Sequence, residues 1–262
     1  MIYVILKGRM CNQMFQMAAA KAMAIDNNTD FVCGTGVRGI TPSKKESNIY
    51  KLTTFRKIKF EDLKPMMYKV HQDPSDFSYK QIPYVSDILL DGYYQSEKYF
   101  KKHRGEILNM YECPDNLKRE LDISFSELFS RNNTCSVHIR RGDYLKYKDN
   151  HTNLTKNYYE KCLNEKKQSH FVFFSDDIEW CKENFKNKNA TFVDTKSDVI
   201  DFYLMSRMKD NIIANSSFSW WAAWMNENKD KHVIAPKNWF GPKNRHLYTG
   251  DIIPEDWEII DG

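Results

Sequence analysis

The sequence lacks any apolar run long enough to span a lipid bilayer, and it lacks a long block of lysine or arginine. Its 39 basic and 35 acidic residues leave a formal net charge of +4, and the lysines are spread along all 262 residues. A nucleic-acid-binding protein concentrates its positive charge on one face, whereas a mildly basic surface is compatible with peripheral membrane binding. The composition therefore predicts no membrane-spanning segment and no nucleic-acid partner.

The sequence also lacks a secretory signal and paired, metal-binding cysteines. No basic stretch precedes the first apolar run, residues 2–6, which therefore predicts a first β-strand and not a signal peptide. The six cysteines contain no CxxC pair, and several lie in apolar runs. Buried free thiols in a reducing cytosol are favoured over disulfides or a zinc site. We expect a cytoplasmic protein, compatible with work at the inner face of the membrane.

What the sequence does contain is a repeated alternation of strand-like and helix-like segments. The chain opens with a strand at 2–6, a turn at 8–13 and a helix at 14–25. Later apolar runs are each followed by a polar turn and, in most cases, a helical segment; these runs are 135–139, 171–174, 192–193, 211–214 and 233–236. Repeated β–turn–α units predict an α/β fold with a parallel sheet and right-handed crossovers.

The polar segment 131–134 interrupts this pattern and predicts a domain boundary. We therefore divide the chain into an N-terminal domain, residues 1–130, and a C-terminal domain, residues 131–262. Residues 51–84 show no clear hydrophobic period, and residues 34–48 are rich in glycine, lysine and serine. We expect loops and short strands there, which suits a variable recognition surface.

The most informative stretch is the apolar run 135–139 with the residues around its end. His138 lies within it, and Arg140, Arg141 and Asp143 follow it directly. Ligands of α/β proteins bind in the crevice at the carboxyl ends of the strands. Two guanidiniums at that place form a double fork of donors, which suits a phosphate or a diphosphate. The simpler alternative is a surface turn with an Arg–Asp ion pair.

Two further strands of this half end in polar clusters, Ser175-Asp176-Asp177 and Asn215-Ser216-Ser217 with Ser219. Carboxyl ends of parallel strands share one edge, so all three clusters are expected to line one crevice. Arginines would neutralise a diphosphate, and hydroxyl and N–H groups at a helix start would bind phosphate oxygens. A carboxylate would accept hydrogen bonds from the N–H edge of a nucleotide base. Guanine, with its N1–H and N2–H groups, fits best. The alternatives are simple helix caps and, for the Asp pair, a weakly indicated metal site.

The first turn offers a second polar cluster. The amides of Asn12 and Gln13 and nearby backbone N–H groups lie at the tip of the first strand, close to a helix start. This arrangement suits a polar or anionic ligand, and the alternative is a simple helix cap.

Several of these segments together resemble the bacterial α-1,2-fucosyltransferases of glycosyltransferase family eleven. The matching segments are 7–8 with 12–16, 92–100, 138–144, 174–177 and 215–221. The resemblance implies a GT-B-like fold, with two Rossmann-like domains and the active site in the cleft between them. It implies GDP-β-L-fucose as donor and the 2-hydroxyl of a terminal β-galactoside in a glycan as acceptor. The implied reaction is inverting and metal-independent, so we expect no cofactor.

The resemblance also implies roles for individual residues. Arg140 would contact the β-phosphate and offset the charge of the departing GDP. Arg141 and Asp143 would hold the loop or the donor. The sequence shows no evident general base, and Asp143 is the candidate for that role. Asn12 matches an asparagine near the acceptor in protein O-fucosyltransferases. The remaining donor-binding candidates are His138 and Asp176 near guanine, Ser216 and Ser217 at the phosphates, and Asn215.

The sequence departs from the family pattern at three positions. Cys11 replaces a usual glycine of the first turn, Met17 replaces a tyrosine, and Ala222 replaces a glycine. Because glycine gives a turn its freedom, the change at Cys11 puts the shape of that turn in question. Two other functions stay open: a transferase with a different nucleotide-sugar donor, and a non-catalytic nucleotide- or glycan-binding protein.

Overall fold

A computed structural model of the chain describes residues 1–38, 44–63, 68–73, 77–186 and 189–262. They form two compact units: unit 1 comprises Met1–Pro114 with Leu247–Pro254, and unit 2 comprises Asp115–His246 with Glu255–Gly262. The division after Pro114 comes earlier than the boundary expected at residues 131–134. The helical segment after Pro114 buries Leu117 and Leu121 and packs within unit 2, which explains the earlier division.

Unit 1 contains a parallel sheet of five strands in the order β3-β2-β1-β5-β4. The first strand occupies its centre, since it pairs with β2 on one side and β5 on the other, and its alternate residues Ile2, Val4 and Leu6 are buried. The strands are β1 (Ile2–Lys7), β2 (Phe31–Arg38), β3 (Phe60–Glu61), β4 (Lys69–Gln72) and β5 (Ile88–Asp91).

The helices of unit 1 are α1 (Met10–Asp26), α2 (Lys44–Leu52) and α3 (Arg104–Met110). Two short 3-10 turns, Glu97–Tyr99 and Lys101–His103, precede α3. The predicted irregular segment 34–48 instead contains the end of β2 and the start of α2, and residues 39–43 lie outside the described residues.

The first helix begins earlier than the sequence predicted. Gly8 adopts a left-handed φ of +71°, so the chain turns at Gly8 and Arg9 and is helical from Met10. Asn12 therefore lies in the first helical turn and not in a loop, and so does Cys11. Cys11 is buried in regular helix, so this position does not require the conformational freedom of the glycine usual in the family.

Unit 2 contains a parallel sheet of six strands in the order β11-β10-β9-β6-β7-β8, which confirms the predicted parallel sheet. Every residue of β6 (Thr134–Ile139), which lies inside the sheet, is buried, as expected for a strand covered on both faces. The last strand, a short edge strand, was missed by the sequence analysis. The strands are β6 (Thr134–Ile139), β7 (His170–Ser175), β8 (Ala190–Val193), β9 (Asp210–Ile212), β10 (Val233–Pro236) and β11 (Glu258–Ile260).

The helices of unit 2 are mostly crossovers between its strands. They are α4 (Asp115–Ser124), α5 (Ser126–Phe129), α6 (Gly142–Lys146), α7 (Lys156–Glu165), α8 (Ile178–Phe185), α9 (Asp198–Ser206) and α10 (Ser217–Met225). The last of these carries the buried, mutually packed rings of Trp220, Trp221 and Trp224, so these tryptophans belong to the core.

All six cysteines are free thiols, and all except Cys113 are buried, as the sequence analysis expected. Among the described helices, none combines the length and the apolar character that a bilayer-spanning segment requires.

The turn after β5 depends on Gly92. A Cβ at this position would lie 2.0 Å from Asp73 Cβ and 2.9 Å from its backbone nitrogen. The Asp73 carboxylate accepts hydrogen bonds from the backbone N–H of Tyr93 and Tyr94 and from the Tyr99 hydroxyl. A side chain at residue 92 would therefore displace the residue that holds the turn.

We expect Gly92→Ala to lower the free energy of unfolding of unit 1 by about 1–3 kcal/mol, because backbone must move to relieve the clash. The measurement is urea unfolding followed by far-UV circular dichroism. Gly105→Ala is the matched control, since a Cβ there meets no heavy atom within 4 Å. Equal stability of the two variants would contradict this account of the turn.

Candidate active site

The three polar strand ends singled out in the sequence lie side by side. Strand β6 lies between β7 and β9 and pairs in parallel with both, so the three strands end at one edge. The Tyr144 hydroxyl, just after β6, donates to the Asn215 carbonyl, just after β9, at 3.0 Å. The structure thus confirms that the clusters share one edge of the unit 2 sheet.

Arg140 lies at the middle of this edge between two carboxylates. Its Nη2 is 2.7 Å from Asp143 Oδ1, and its Nη1 is 3.0 Å from Asp176 Oδ2. The guanidinium carbon is 5.6 Å from the centre of the Tyr144 ring, and only 23% of the side chain is exposed. An anionic ligand would therefore meet a partly desolvated cation that is already paired with two carboxylates, and it would have to compete with them.

Arg141 has a different environment. Its Nε donates to Asp177 Oδ2 at 3.0 Å, and its guanidinium lies 4.0 Å from the centre of the Trp180 ring. Its backbone N–H donates to Asp176 Oδ1 at 2.9 Å. The two arginines thus do not form the double fork that the sequence predicted, because Arg141 fastens the loop to α8.

Gly142 allows this packing. A Cβ at residue 142 would lie 2.6 Å from Asp176 Oδ2, the oxygen that pairs with Arg140. The glycine of the Arg-Arg-Gly-Asp sequence therefore lets a carboxylate approach the turn closely.

His138 is buried behind the arginine turn. Its Nδ1 is 2.9 Å from Ser219 Oγ, and its ring packs against Phe218. Burial, together with the nearby Arg140, lowers the pKa of His138 to about 3. The imidazole is therefore neutral at physiological pH and can contribute a hydrogen bond but no positive charge.

The cluster after β9 divides into structural and open groups. The Asn215 amide donates to the carbonyls of Thr152 at 2.9 Å and Trp239 at 2.8 Å. The Ser216 hydroxyl accepts from the N–H of Phe218 and caps α10. Ser217, the partly exposed first residue of α10, is the group of this helix start that could contact a phosphate.

Tyr144 and His151 form a parallel stack beside Arg140 that the sequence analysis did not find. Their ring centres are 4.2 Å apart at an interplanar angle of 8°. Burial lowers the pKa of His151, and Arg140 lowers it further while Asp143 opposes both. A half-buried, neutral imidazole thus stands near the ion pairs. Its only sequence signal is one histidine in the mostly polar segment 145–153.

Asp201 is a second residue that the sequence analysis missed. It lies in the first turn of α9, which begins after the carboxyl end of β8, and it accepts from the Thr195 hydroxyl at 2.7 Å. Burial, with smaller contributions from Asp198 and Asp194, raises the pKa of Asp201 to about 6. The available signal was a fourth polar strand end, following the same pattern as the other three.

Asn12 belongs to unit 1 and lies in the first turn of α1, the helix that follows β1. Its Oδ1 accepts from Gln95 Nε2 at 2.9 Å, and a Cβ on Gly8 would lie 2.5 Å from its Nδ2. Gln13 Nε2 donates to the Gly8 carbonyl at 2.8 Å, so Gln13 stabilises the turn. Asn12 is thus held by a partner from another of the motifs singled out in the sequence.

No group of three or more histidine, cysteine, aspartate or glutamate side chains in the described parts of the chain is arranged to hold a metal ion. Asp176 and Asp177, the pair considered for a metal, each contact an arginine instead.

The profile of glycosyl transferase family 11 matches residues 1–261, and the chain belongs to this family. Among curated proteins, it is 36% identical over 179 residues to the O-antigen biosynthesis glycosyltransferase WbnK of Escherichia coli, covering 62% of this chain and 58% of that protein. It is 36% identical over 183 residues to an Escherichia coli alpha-1,2-colitosyltransferase, covering 65% and 61%. The chain thus spans about three fifths of the length of these relatives.

Among solved structures, the chain is similar to the alpha-1,6-fucosyltransferase NodZ from Bradyrhizobium, co-crystallised with GDP. The TM-score is 0.54 at 14% identity, and the match covers 84% of this chain and 91% of that one. At this identity the likeness concerns the fold, which is a GT-B-like α/β fold with two parallel sheets.

The low pKa of His138 predicts a loss of stability in acid. A histidine in an unfolded chain has a pKa of about 6.5, so between about 6.5 and about 3 the unfolded state binds a proton that the folded state does not. The free energy of unfolding therefore falls with falling pH in this window, by up to about 1.4 kcal/mol per pH unit.

Urea unfolding at a series of pH values, followed by tryptophan fluorescence, measures the free energy of unfolding of unit 2, because all six tryptophans belong to that unit. We expect His138→Gln to reduce the pH dependence, and we expect His246→Gln, at an exposed histidine, to leave it unchanged. An identical pH dependence in wild type and His138→Gln would refute the assignment.

Proposed function

We propose that the protein catalyses inverting transfer of L-fucose from GDP-β-L-fucose to the 2-hydroxyl of a terminal β-galactoside in a glycan. The observation that carries this proposal is Arg140, a partly buried cation held between Asp143 and Asp176 in a chain of glycosyl transferase family 11. The start of α10 lies at the same sheet edge and supplies N–H donors and Ser217. Together these groups suit a nucleoside diphosphate leaving group.

The donor is bound mainly by unit 2 in this proposal. Arg140 contacts the β-phosphate, and Ser217 with the helix start contacts phosphate oxygens. The fold likeness to NodZ, which was co-crystallised with GDP, supports a guanine nucleotide. Asp201 is the carboxylate we assign to the N1–H and N2–H edge of guanine, because Asp176 already contacts Arg140 and the Arg141 backbone.

In the proposed step the acceptor oxygen attacks the anomeric carbon from the face opposite GDP. The new C–O bond forms as the bond from that carbon to the β-phosphate oxygen breaks, and the electron pair leaves with GDP. Arg140 offsets the charge that develops on the diphosphate. The acceptor proton passes to a base, and we assign this role to Asp143 or to the neutral His151, which both lie near Arg140. Asn12 of unit 1 is assigned to the acceptor, and no metal takes part.

A second donor is favoured by one observation, the 36% identity to an alpha-1,2-colitosyltransferase. Colitose is fucose without its 3-hydroxyl, so GDP-colitose carries the same diphosphate and base. A single contact to the sugar 3-hydroxyl would separate the two donors.

The first experiment is isothermal titration in EDTA with GDP, GDP-fucose, GDP-colitose, GDP-mannose and UDP-galactose, followed by transfer assays on β-galactosides. We expect metal-free binding of the guanine nucleotides and transfer from GDP-fucose. Arg140→Ala should lower transfer by about 10²–10³-fold and weaken GDP binding, because the leaving group loses its cation.

Arg140→Lys keeps the charge without the two-pronged geometry and should fall between wild type and Arg140→Ala. Arg131→Ala removes an exposed arginine just before β6 and serves as the control. Near-normal transfer by Arg140→Ala would reject its role. Nucleotide binding without turnover on any acceptor would favour the non-catalytic alternative.

We expect Asp201→Asn to remove discrimination for guanine. The wild-type protein should bind GDP more tightly than inosine diphosphate, which lacks the 2-amino group, because a carboxylate accepts from that group. In Asp201→Asn the affinity for GDP should fall by about tenfold, toward that for inosine diphosphate, as for one hydrogen bond to a charged group. Asp198→Asn, at the exposed start of the same helix, is the control. An unchanged preference for GDP would assign base recognition elsewhere.

A further inference from the structure

Two short basic segments that are distant in sequence, residues 145–149 and 242–246, meet on the surface of unit 2. The backbone N–H of Lys243 donates to the Asp149 carbonyl at 2.8 Å, and that of Gly241 donates to the Asn150 carbonyl at 3.0 Å. A Cβ on Gly241 would lie 2.8 Å from the carbonyl oxygens of Lys148 and Asp149, so only a glycine permits this close approach. The two segments therefore form one continuous surface.

This surface carries an excess of positive charge. Lys146 and Lys148 project from the first segment and Lys243 and Arg245 from the second, and all four are exposed. We call these four residues the basic face. Within the part of the chain that the structure describes, none of the four forms an ion pair, and Asp149 is the single acidic residue of the two exposed segments 145–149 and 242–246.

Exposed apolar side chains accompany these cations. Leu145 is 47% exposed and Tyr147 is 59% exposed, and they alternate with Lys146 and Lys148 along the first segment. Cations interleaved with an aliphatic and an aromatic side chain match the composition of protein surfaces that lie on membranes. A site for one small anion would instead need donors that converge, whereas these four cations stand exposed on two segments.

We propose that the basic face binds the anionic headgroups of a lipid bilayer, with Leu145 and Tyr147 entering the headgroup region. Lys146 of the basic face is the last residue of α6, the short helix that directly follows Arg140 and Arg141. Binding at this face holds the carboxyl edge of the unit 2 sheet near the membrane surface. The proposal does not depend on which sugar the protein transfers.

The test is co-sedimentation of the full chain with phosphatidylglycerol-rich vesicles and with pure phosphatidylcholine vesicles, at low and high salt. We expect binding to the anionic vesicles that weakens with salt. Lys148→Gln with Arg245→Gln should reduce the partition coefficient by about 25-fold, as roughly fivefold for each cation removed. Tyr147→Ser should weaken binding to anionic vesicles without changing its salt dependence.

Lys118→Gln with Arg119→Gln on α4 makes the same charge change at two other exposed cations of unit 2 and serves as the control. Tryptophan fluorescence checks that each variant is folded. An equal loss in the control would attribute binding to net charge and overturn the proposal, as would no binding or equal binding to neutral vesicles. Tighter binding to duplex DNA, lost in the same variant, would assign the face to a different polyanion and also overturn it.

Discussion

The parallel pairing of β6 with β7 on one side and β9 on the other is the constraint on which the rest of unit 2 depends. It brings three polar strand ends to one edge, although they are separated by about 35 to 75 residues in sequence. The buried apolar strands stabilise this register, since a slip would move their side chains to the wrong face. The strand order therefore brings the polar ends together, although no feature of the sequence indicates which of them are neighbours.

The two arginines after β6 illustrate how packing separates neighbours of the same chemistry. Arg141 pairs with Asp177 and lies over the Trp180 ring, whereas Arg140 forms ion pairs with both Asp143 and Asp176. A partly buried cation without partners would be costly, and a cation in a fully saturated network would be unavailable. Arg140 lies between these limits, because partly exposed carboxylates hold it and a diphosphate could replace them.

Many residues of the motifs shared with the family stabilise turns and helix starts. Asn215 and Ser216 hold a turn and a helix start, and Gln13 holds the turn after β1. Gly142 and Gly92 permit close approaches of Asp176 and Asp73. Such residues position a site without needing to touch a ligand, so a motif alone does not tell positioning groups from contacting ones.

The sequence by itself determined the α/β class, the parallel sheet of unit 2 and its three polar strand ends, because hydrophobic runs and the turns that follow them are local signals. Only the tertiary structure decided that the first turn closes at Gly8, that the arginines diverge, and that His151 and Asp201 join the candidate groups. The tertiary structure also brings residues 145–149 and 242–246 together in one basic surface, which the sequence does not predict because it contains no long basic block. These features depend on contacts between distant segments, and the free energy of such contacts comes from packing and burial, which a local pattern does not encode.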